Sequence, residues 1–369
     1  MKRERIKFNT FSFISTFART IIETFISLFL FKNGFSIKEI LFFYLLENVF
    51  AIFISYLFVY IGEKKKYSIV MYIGIVCFIL FQVSINFINH SMWYIVLLAL
   101  LYSLYRRGYW LSRRFYITNV IPQNNSTEVF SLTLILSQIS SIIAGYCGAF
   151  FLDKFTVLPL TIISSVLLFI SAIPLVRIKY KKTSTKIELI KNLKQYDKRN
   201  LLAFSFYELN NLVTFLFPIY IAVYIQNSYT LAGSINAISK IAVIIFIFIY
   251  GKVIKKKNHF ALSTLICLIL YASKLFVSNY WILIICFIEG FAGVMQTQSN
   301  NKIYFENRNG VDATHCNLIY NIIESIVRSI VVIPLFFINN IRIMIIVVLC
   351  IIGIQLLIYS IIKKGNKLK

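Results

Sequence analysis

The sequence predicts an all-α polytopic membrane protein, with twelve transmembrane helices in two parallel six-helix repeats around a central cavity. Three observations lead there. Of 369 residues, 59% are hydrophobic and only 14% are charged, at a mean hydropathy of +0.78. Soluble domains carry about 25% charged residues. Too few polar side chains remain here to cover a water-facing surface, which excludes a soluble enzyme, a disordered chain and a secreted disulfide scaffold. The other two observations are the apolar runs of membrane-spanning length that follow one another through the chain, and the basic clusters that recur between them at matching places in the two halves.

A helix needs roughly 20 apolar residues to cross the hydrocarbon layer. Such runs fall at about 10–31, 39–61, 68–88, 92–116, 128–151 and 156–177, and then at about 201–224, 230–251, 260–278, 279–299, 315–338 and 341–362. They are too long for barrel strands, and a helix alone satisfies its backbone groups within one segment. The first run follows basic residues, as a secretory leader does. It is longer than a leader's apolar region and lacks a small-residue cleavage site, so it is read as the first span.

The formal charge is +24, from 38 basic and 14 acidic residues. The bases flank apolar runs, and no nucleic-acid-binding motif is present, so membrane lipids with anionic headgroups are the expected partners and nucleic acid is not. With the N-terminus placed inside, thirty Lys and Arg fall on the inner side and five, Lys32, Lys38, Lys154, Lys274 and Arg342, on the outer. The remaining three, Arg19, Lys240 and Arg328, lie within spans. The positive-inside rule then puts both termini in the cytoplasm of a multi-pass plasma (inner) membrane protein. In this count Arg113 and Arg114 snorkel towards the cytoplasmic headgroups. Six scattered cysteines form no C-x-x-C pair and read as small packing residues, and the three histidines sit apart near span ends, so neither metal nor cofactor is expected.

The chain divides at its one long basic connection into a half at 1–177, a linker at 178–200 and a half at 201–369. Lys186 to Lys194 within the linker has apolar residues at helical spacing, compatible with a helix lying on the membrane surface. Shifting the first half by 188 places Trp93 on Trp281, Arg114 on Lys302, Tyr116 on Tyr304 and Ser126 on Thr314. Each half also has a basic loop after its second helix and another after its fourth. An even number of spans gives both halves one orientation, so the repeat is parallel.

Gly62-Glu63-Lys64-Lys65-Lys66 after the second span, with its counterpart from Gly251 to Lys257, resembles the tail of a signature of the major facilitator superfamily. The acid of that signature falls near Val59. Arg106-Arg107-Gly108 is similar to the superfamily's fourth-span Arg followed by Gly, and Gly145-Tyr146-Cys147-Gly148 resembles, without its Pro, a fifth-span motif of exporters. The resemblance implies alternating-access transport, makes Gly62, Lys64, Gly251 and Lys255 gating-loop candidates, and leans towards efflux.

A charged side chain deep in a membrane costs several kcal/mol unless paired, and so marks a candidate functional residue. Arg19 and Glu23 stand at i,i+4 in the first span, as do Glu324 and Arg328 in the eleventh, and each pair can neutralise itself or meet substrate. Glu47 lies near the middle of the second span, Lys240 near the middle of the eighth, Glu208 about two turns into the seventh and Glu289 in the outer half of the tenth. An acid held in a dry site can carry a proton at neutral pH, and any of the five buried acids could do so. Glu23 and Glu47 are favoured, because the superfamily often hosts coupling acids in its first half. The plainer alternative pairs each acid with a base such as Lys240. Arg106 and Arg107 lie in the inner half of the fourth span, where a planar guanidinium would hold a carboxylate or phosphate. Gln296 begins a polar stretch that either bonds substrate or faces the inner vestibule. Pro218 and Pro334 are expected to kink their helices.

These features imply a secondary active transporter, not an enzyme, that exports a small organic or peptide-like compound, anionic if the arginines line the cavity, by proton antiport. No Walker A motif supplies an ATP engine. A lipid-linked saccharide flippase is the second reading, since such proteins share the span number and cationic cavities. A membrane-embedded polysaccharide polymerase or acyltransferase is the third. It is disfavoured by the short outer loops and the lack of a Ser-His or His-Asp arrangement.

Overall fold

The computed structural model describes residues 2–120, 126–176, 198–253, 259–277, 281–306 and 313–365. Among them the secondary structure is helical throughout, and it falls into twelve helices whose bounds lie within a few residues of most of the apolar runs. The first is broken in two, α1a (Lys2–Glu23) and α1b (Ile26–Lys32). The first half continues with α2 (Ile37–Lys64), α3 (Tyr67–Ser84), α4 (Met92–Val120), α5 (Ser126–Lys154) and α6 (Val157–Val176). The second contains α7 (Lys198–Tyr224), α8 (Tyr229–Val253), α9 (Phe260–Lys274), α10 (Trp281–Glu306), α11 (Ala313–Val332) and α12 (Ile341–Gly365). Most of the 178–200 linker, including the proposed surface helix, lies outside the described residues, as does Lys255.

Eight of these helices are long and apolar enough to cross a bilayer by composition, and α6, α7 and α9 contain shorter apolar stretches. The composition of α4 is broken by Arg106, Arg107, Arg113 and Arg114. Lipid-facing side chains such as Phe53, Phe169 and Ile361 are exposed, while one continuous apolar core joins residues from both halves.

Helix contacts within each half are completed by contacts between halves. Helix α2 packs on α11, α5 on α8, and α1b on α7. Bare glycines set several crossings. A Cβ on Gly108 would stand 2.8 Å from the Val70 carbonyl and 3.0 Å from the Gly74 Cα, so α3 and α4 meet backbone to backbone beside Arg106 and Arg107. A Cβ on Gly148 would stand 2.3 Å from the Ile21 carbonyl, and one on Gly233 would stand 2.9 Å from the Gly145 carbonyl. The exporter-like glycines thus let α5 pack tightly on α1a with one residue and on α8 with another.

The break in α1 was not expected from the sequence, since neither Gly nor Pro stands there. At the break, the Phe25 amide bonds the Ile22 carbonyl at 2.9 Å, three residues back, and the Thr24 amide reaches Thr20 only at 3.4 Å. It coincides with the approach of Gly148 to Ile21, and the Phe25 ring turns edge-on to Tyr229 of α8. Gly34, at φ +87°, then reverses the chain, and Ser36 and Glu39 form a reciprocal cap for α2. Pro218 lies inside α7, whereas Pro334 opens a 3-10 turn, Ile333–Phe337, that follows α11.

Candidate functional site

Four helices bring charges together near the middle of the bundle. Glu47 of α2 is fully buried, and both its oxygens accept from one Arg106 nitrogen, at 3.0 and 3.1 Å. Arg106 also comes within 3.8 Å of Glu324 on α11. Glu324 accepts from Arg107 at 3.3 Å and lies 2.7 Å from Arg328 on its own helix. Arg107 also donates to Ser325 at 2.9 Å. One carboxylate of the second half therefore gathers two guanidinium groups from α4 and one from α11. Helical spacing places Glu324 and Arg328 on one face, and the glycine crossing of α3 with α4 puts Arg107 within reach of them.

A second group continues from the first. Arg19 and Glu23 of α1a form their i,i+4 pair at 2.5 Å. Glu23 accepts from the Tyr102 hydroxyl at 2.9 Å, and Arg106 lies 5.9 Å from the centre of the same Tyr102 ring. Tyr102 thus links the two ion-pair groups. Among the described residues they bring together the guanidinium groups of Arg19, Arg106, Arg107 and Arg328 and the carboxylates of Glu23, Glu47 and Glu324.

The second half has its own buried pair, and it differs from expectation. The partner of Glu289 is Lys274 of α9, in close contact, and not Lys240. Sequence reading assigned Lys274 to an outer loop. The side chain is instead buried at 3% exposure, against the rings of Phe217 and Tyr271. No local pattern marks it, because its counter-charge lies on another helix. Lys240 makes no ion pair within 4 Å among the described residues, although Glu289 and Arg19 lie within electrostatic reach. Gln296 donates to Thr264 at 3.1 Å and accepts from Asn210 at 2.7 Å, tying α10 to α9 and α7. The Glu208 side chain lies outside the described residues.

Arg113 and Arg114 do not snorkel. Arg114 donates to Asn321 of α11 at 2.9 Å, and Arg113 reaches Ser137 of α5 at 3.5 Å and lies over the Trp110 ring. Both turn into the bundle because neighbouring helices offer polar partners there. Of the gating-loop candidates, Gly62 packs directly against the Tyr67 ring, and Lys64 folds back onto Tyr60 of its own helix. Gly251 lies within α8.

At the opposite end of the bundle, Asp153 of α5 caps the start of α8. It accepts from the Thr230 amide at 2.9 Å and the Tyr229 amide at 3.3 Å, and contacts the Thr230 hydroxyl. Lys32 of α1b lies over the Tyr229 ring. One patch therefore joins α1b, α5 and α8 across the two halves.

Comparison with known proteins decides the family, since the model of the Major Facilitator Superfamily matches residues 9–331. The chain belongs to the major facilitator superfamily. This superfamily member is accordingly a multi-pass membrane transporter and not an enzyme, which sets aside the polymerase and acyltransferase reading. The solved structures most like it include the POT family transporter PepTSo, at TM-score 0.77 and 10% identity, covering 100% of this chain and 99% of that one. The E. coli fucose:proton symporter FucP superposes at TM-score 0.65 and 14% identity, covering 97% and 98%. A structure of FucP in the outward conformation gives 0.64 and 13% over the same shares. At these identities the likeness shows the superfamily fold alone. No curated protein is matched.

Proposed function

We propose that this transporter exports a small organic or peptide-like anion by proton-coupled alternating access across the plasma membrane, with both termini cytoplasmic. Residues 1–177 and 201–369 form the moving halves, joined by 178–200. The observation that carries the reading is the gathering, among the described residues, of guanidinium groups from α1a, α4 and α11 on buried carboxylates, at a depth where charge is costly unless it serves a function. An anion can take the place of a carboxylate on these guanidinium groups.

The same groups give a route to coupling. Glu23 holds Arg19, and Glu47 holds Arg106. An incoming anion competes with those carboxylates for the guanidinium. A displaced carboxylate in a dry site is stabilised by taking up a proton, so anion binding and protonation favour each other. Release of the anion reverses both. The Gly145 and Gly148 packing of α5 supports efflux through the resemblance to exporters, and the proton symport named for FucP shows that this fold accommodates proton coupling.

The test is flux in proteoliposomes loaded with a pH dye. A proton gradient is imposed while organic anions and peptides are screened, and wild type is compared with Glu47→Gln and Arg106→Ala. The reading expects proton movement that depends on one of these compounds and is lost in both variants. No flux with any compound, from protein shown to be folded, overturns it and makes lipid-linked saccharides the next cargo to test.

A further inference from the structure

Arg106 and Arg107 are the arginines that sequence places at a substrate site, and both are already engaged by carboxylates. Arg113 is the contrasting case. Among the described residues it has no carboxylate within 4 Å, and its one hydrogen bond, to Ser137, is long at 3.5 Å. Its Nε is buried without an acceptor. A guanidinium carries five donors and no acceptor, so most of its bonding capacity is unused.

A second cation shares its surroundings. The guanidinium carbon of Arg113 lies 5.1 Å from the Trp110 ring centre, and that of Arg19 lies 5.0 Å from the same ring. The two carbons therefore stand at most about 10 Å apart, within reach of one small anion. Arg19 is itself only partly satisfied, since Glu23 takes one nitrogen while the buried Nε has no acceptor. From α8, Lys240 lies within electrostatic reach of Glu289 and Arg19 and makes no ion pair within 4 Å among the described residues. On the same face of α8, the buried Nδ2 of Asn236 also lacks an acceptor. Three cations and an amide donor are thus arranged about α1a, α4, α5 and α8, with Glu23 the one carboxylate bonded to any of them among the described residues.

We infer that Arg113 and Arg19, set about Trp110, form the anion-binding site, and that it takes a small carboxylate or phosphate. In the anion-free protein Arg106 and Arg107, engaged by Glu47 and Glu324, tie α4 to α2 and α11. The inference rests on the anion-transport reading and assigns that reading its contacts. Planar forks suit both oxyanions, and the indole provides an apolar wall for the body of the anion. The same contacts bring the anion next to the Arg19–Glu23 pair, where it can displace Glu23.

Trp110 is a built-in reporter. The other two tryptophans, Trp93 and Trp281, are exposed at the starts of α4 and α10. In a Trp93→Phe/Trp281→Phe protein, Trp110 emission is titrated with sulfate, phosphate, citrate and benzoate at constant ionic strength, with choline and lactose as controls. The expected result is a saturable change with at least one of the four anions and none with the controls. Arg113→Gln should weaken it by about tenfold or more, as for loss of a charged hydrogen-bonding partner. If Arg113→Gln does not fold, Arg113→Lys, which keeps the charge and loses the fork, must show the affinity loss. No saturable response to any of the four anions overturns the proposal, as does wild-type affinity in a folded Arg113 variant. An anion that is still transported in proteoliposomes while Arg113→Gln binds it normally sinks this site and leaves the transport reading standing. Absence of any anion flux sinks both.

Discussion

Replacing Glu324 by Gln should expose how strongly one carboxylate holds the two halves together. Glu324 meets Arg328 at 2.7 Å and Arg107 at 3.3 Å, with Arg106 at 3.8 Å, and its side chain is 5% exposed. The amide keeps the shape and removes the charge that three guanidinium groups share. Removing one partner of a buried pair costs about 3–5 kcal/mol, because the remaining charge stays buried. At roughly 2 °C per kcal/mol for a long chain, that is a fall of about 6–10 °C in melting temperature. Unfolding can be followed with a thiol-reactive dye, since Cys77, Cys267 and Cys286 are buried and free. The cost arises from surplus positive charge, so adding Arg328→Gln should recover part of the loss, as a double-mutant cycle would read. A melting temperature within about 1 °C of wild type for Glu324→Gln alone would refute the reasoning, because a buried carboxylate neutralising several arginines cannot be removed at so little cost.

Two further outcomes follow from the packing. A Cβ on Gly290 would stand 2.3 Å from the Ser239 carbonyl, whereas nothing lies within 4 Å of one on Gly293. In the same thermal scan Gly290→Ala should cost about 1–3 kcal/mol by overpacking, and Gly293→Ala should be neutral or slightly stabilising. Asp153→Ala removes the acceptor at the start of α8 and should cost about 0.5–2 kcal/mol, while Asp153→Asn, which retains an acceptor oxygen, should cost less.

The chain shows which kinds of information are local. Crossing a membrane depends on hydropathy added over one segment of roughly 20 residues. Helix bounds such as 92–120 and 341–365 were therefore readable to within a few positions from composition alone. The i,i+4 pairs Arg19–Glu23 and Glu324–Arg328 were readable for a similar reason, since a helix fixes that geometry by itself. The Ser36–Glu39 cap at the start of α2 is local too, although the apolar pattern gave no hint of it.

Partner choice between helices is not local. Glu289 faces Lys274 rather than Lys240, and Arg107 faces Glu324 across 217 positions, because each depends on how two helices are rotated and how closely they approach. That rotation is set by contacts such as Gly108 on Gly74 and Gly290 on Ser239, which involve backbone atoms of separate helices. The inward turn of Arg113 and Arg114 and the break after Glu23 have the same origin. The sequence by itself determined that this protein is a bundle of membrane-spanning helices with several charges inside its spans. Only the tertiary structure decided which of those charges pair and which, as at Arg113, stand without a carboxylate within 4 Å among the described residues, because Coulomb interactions depend on separations that no single segment contains.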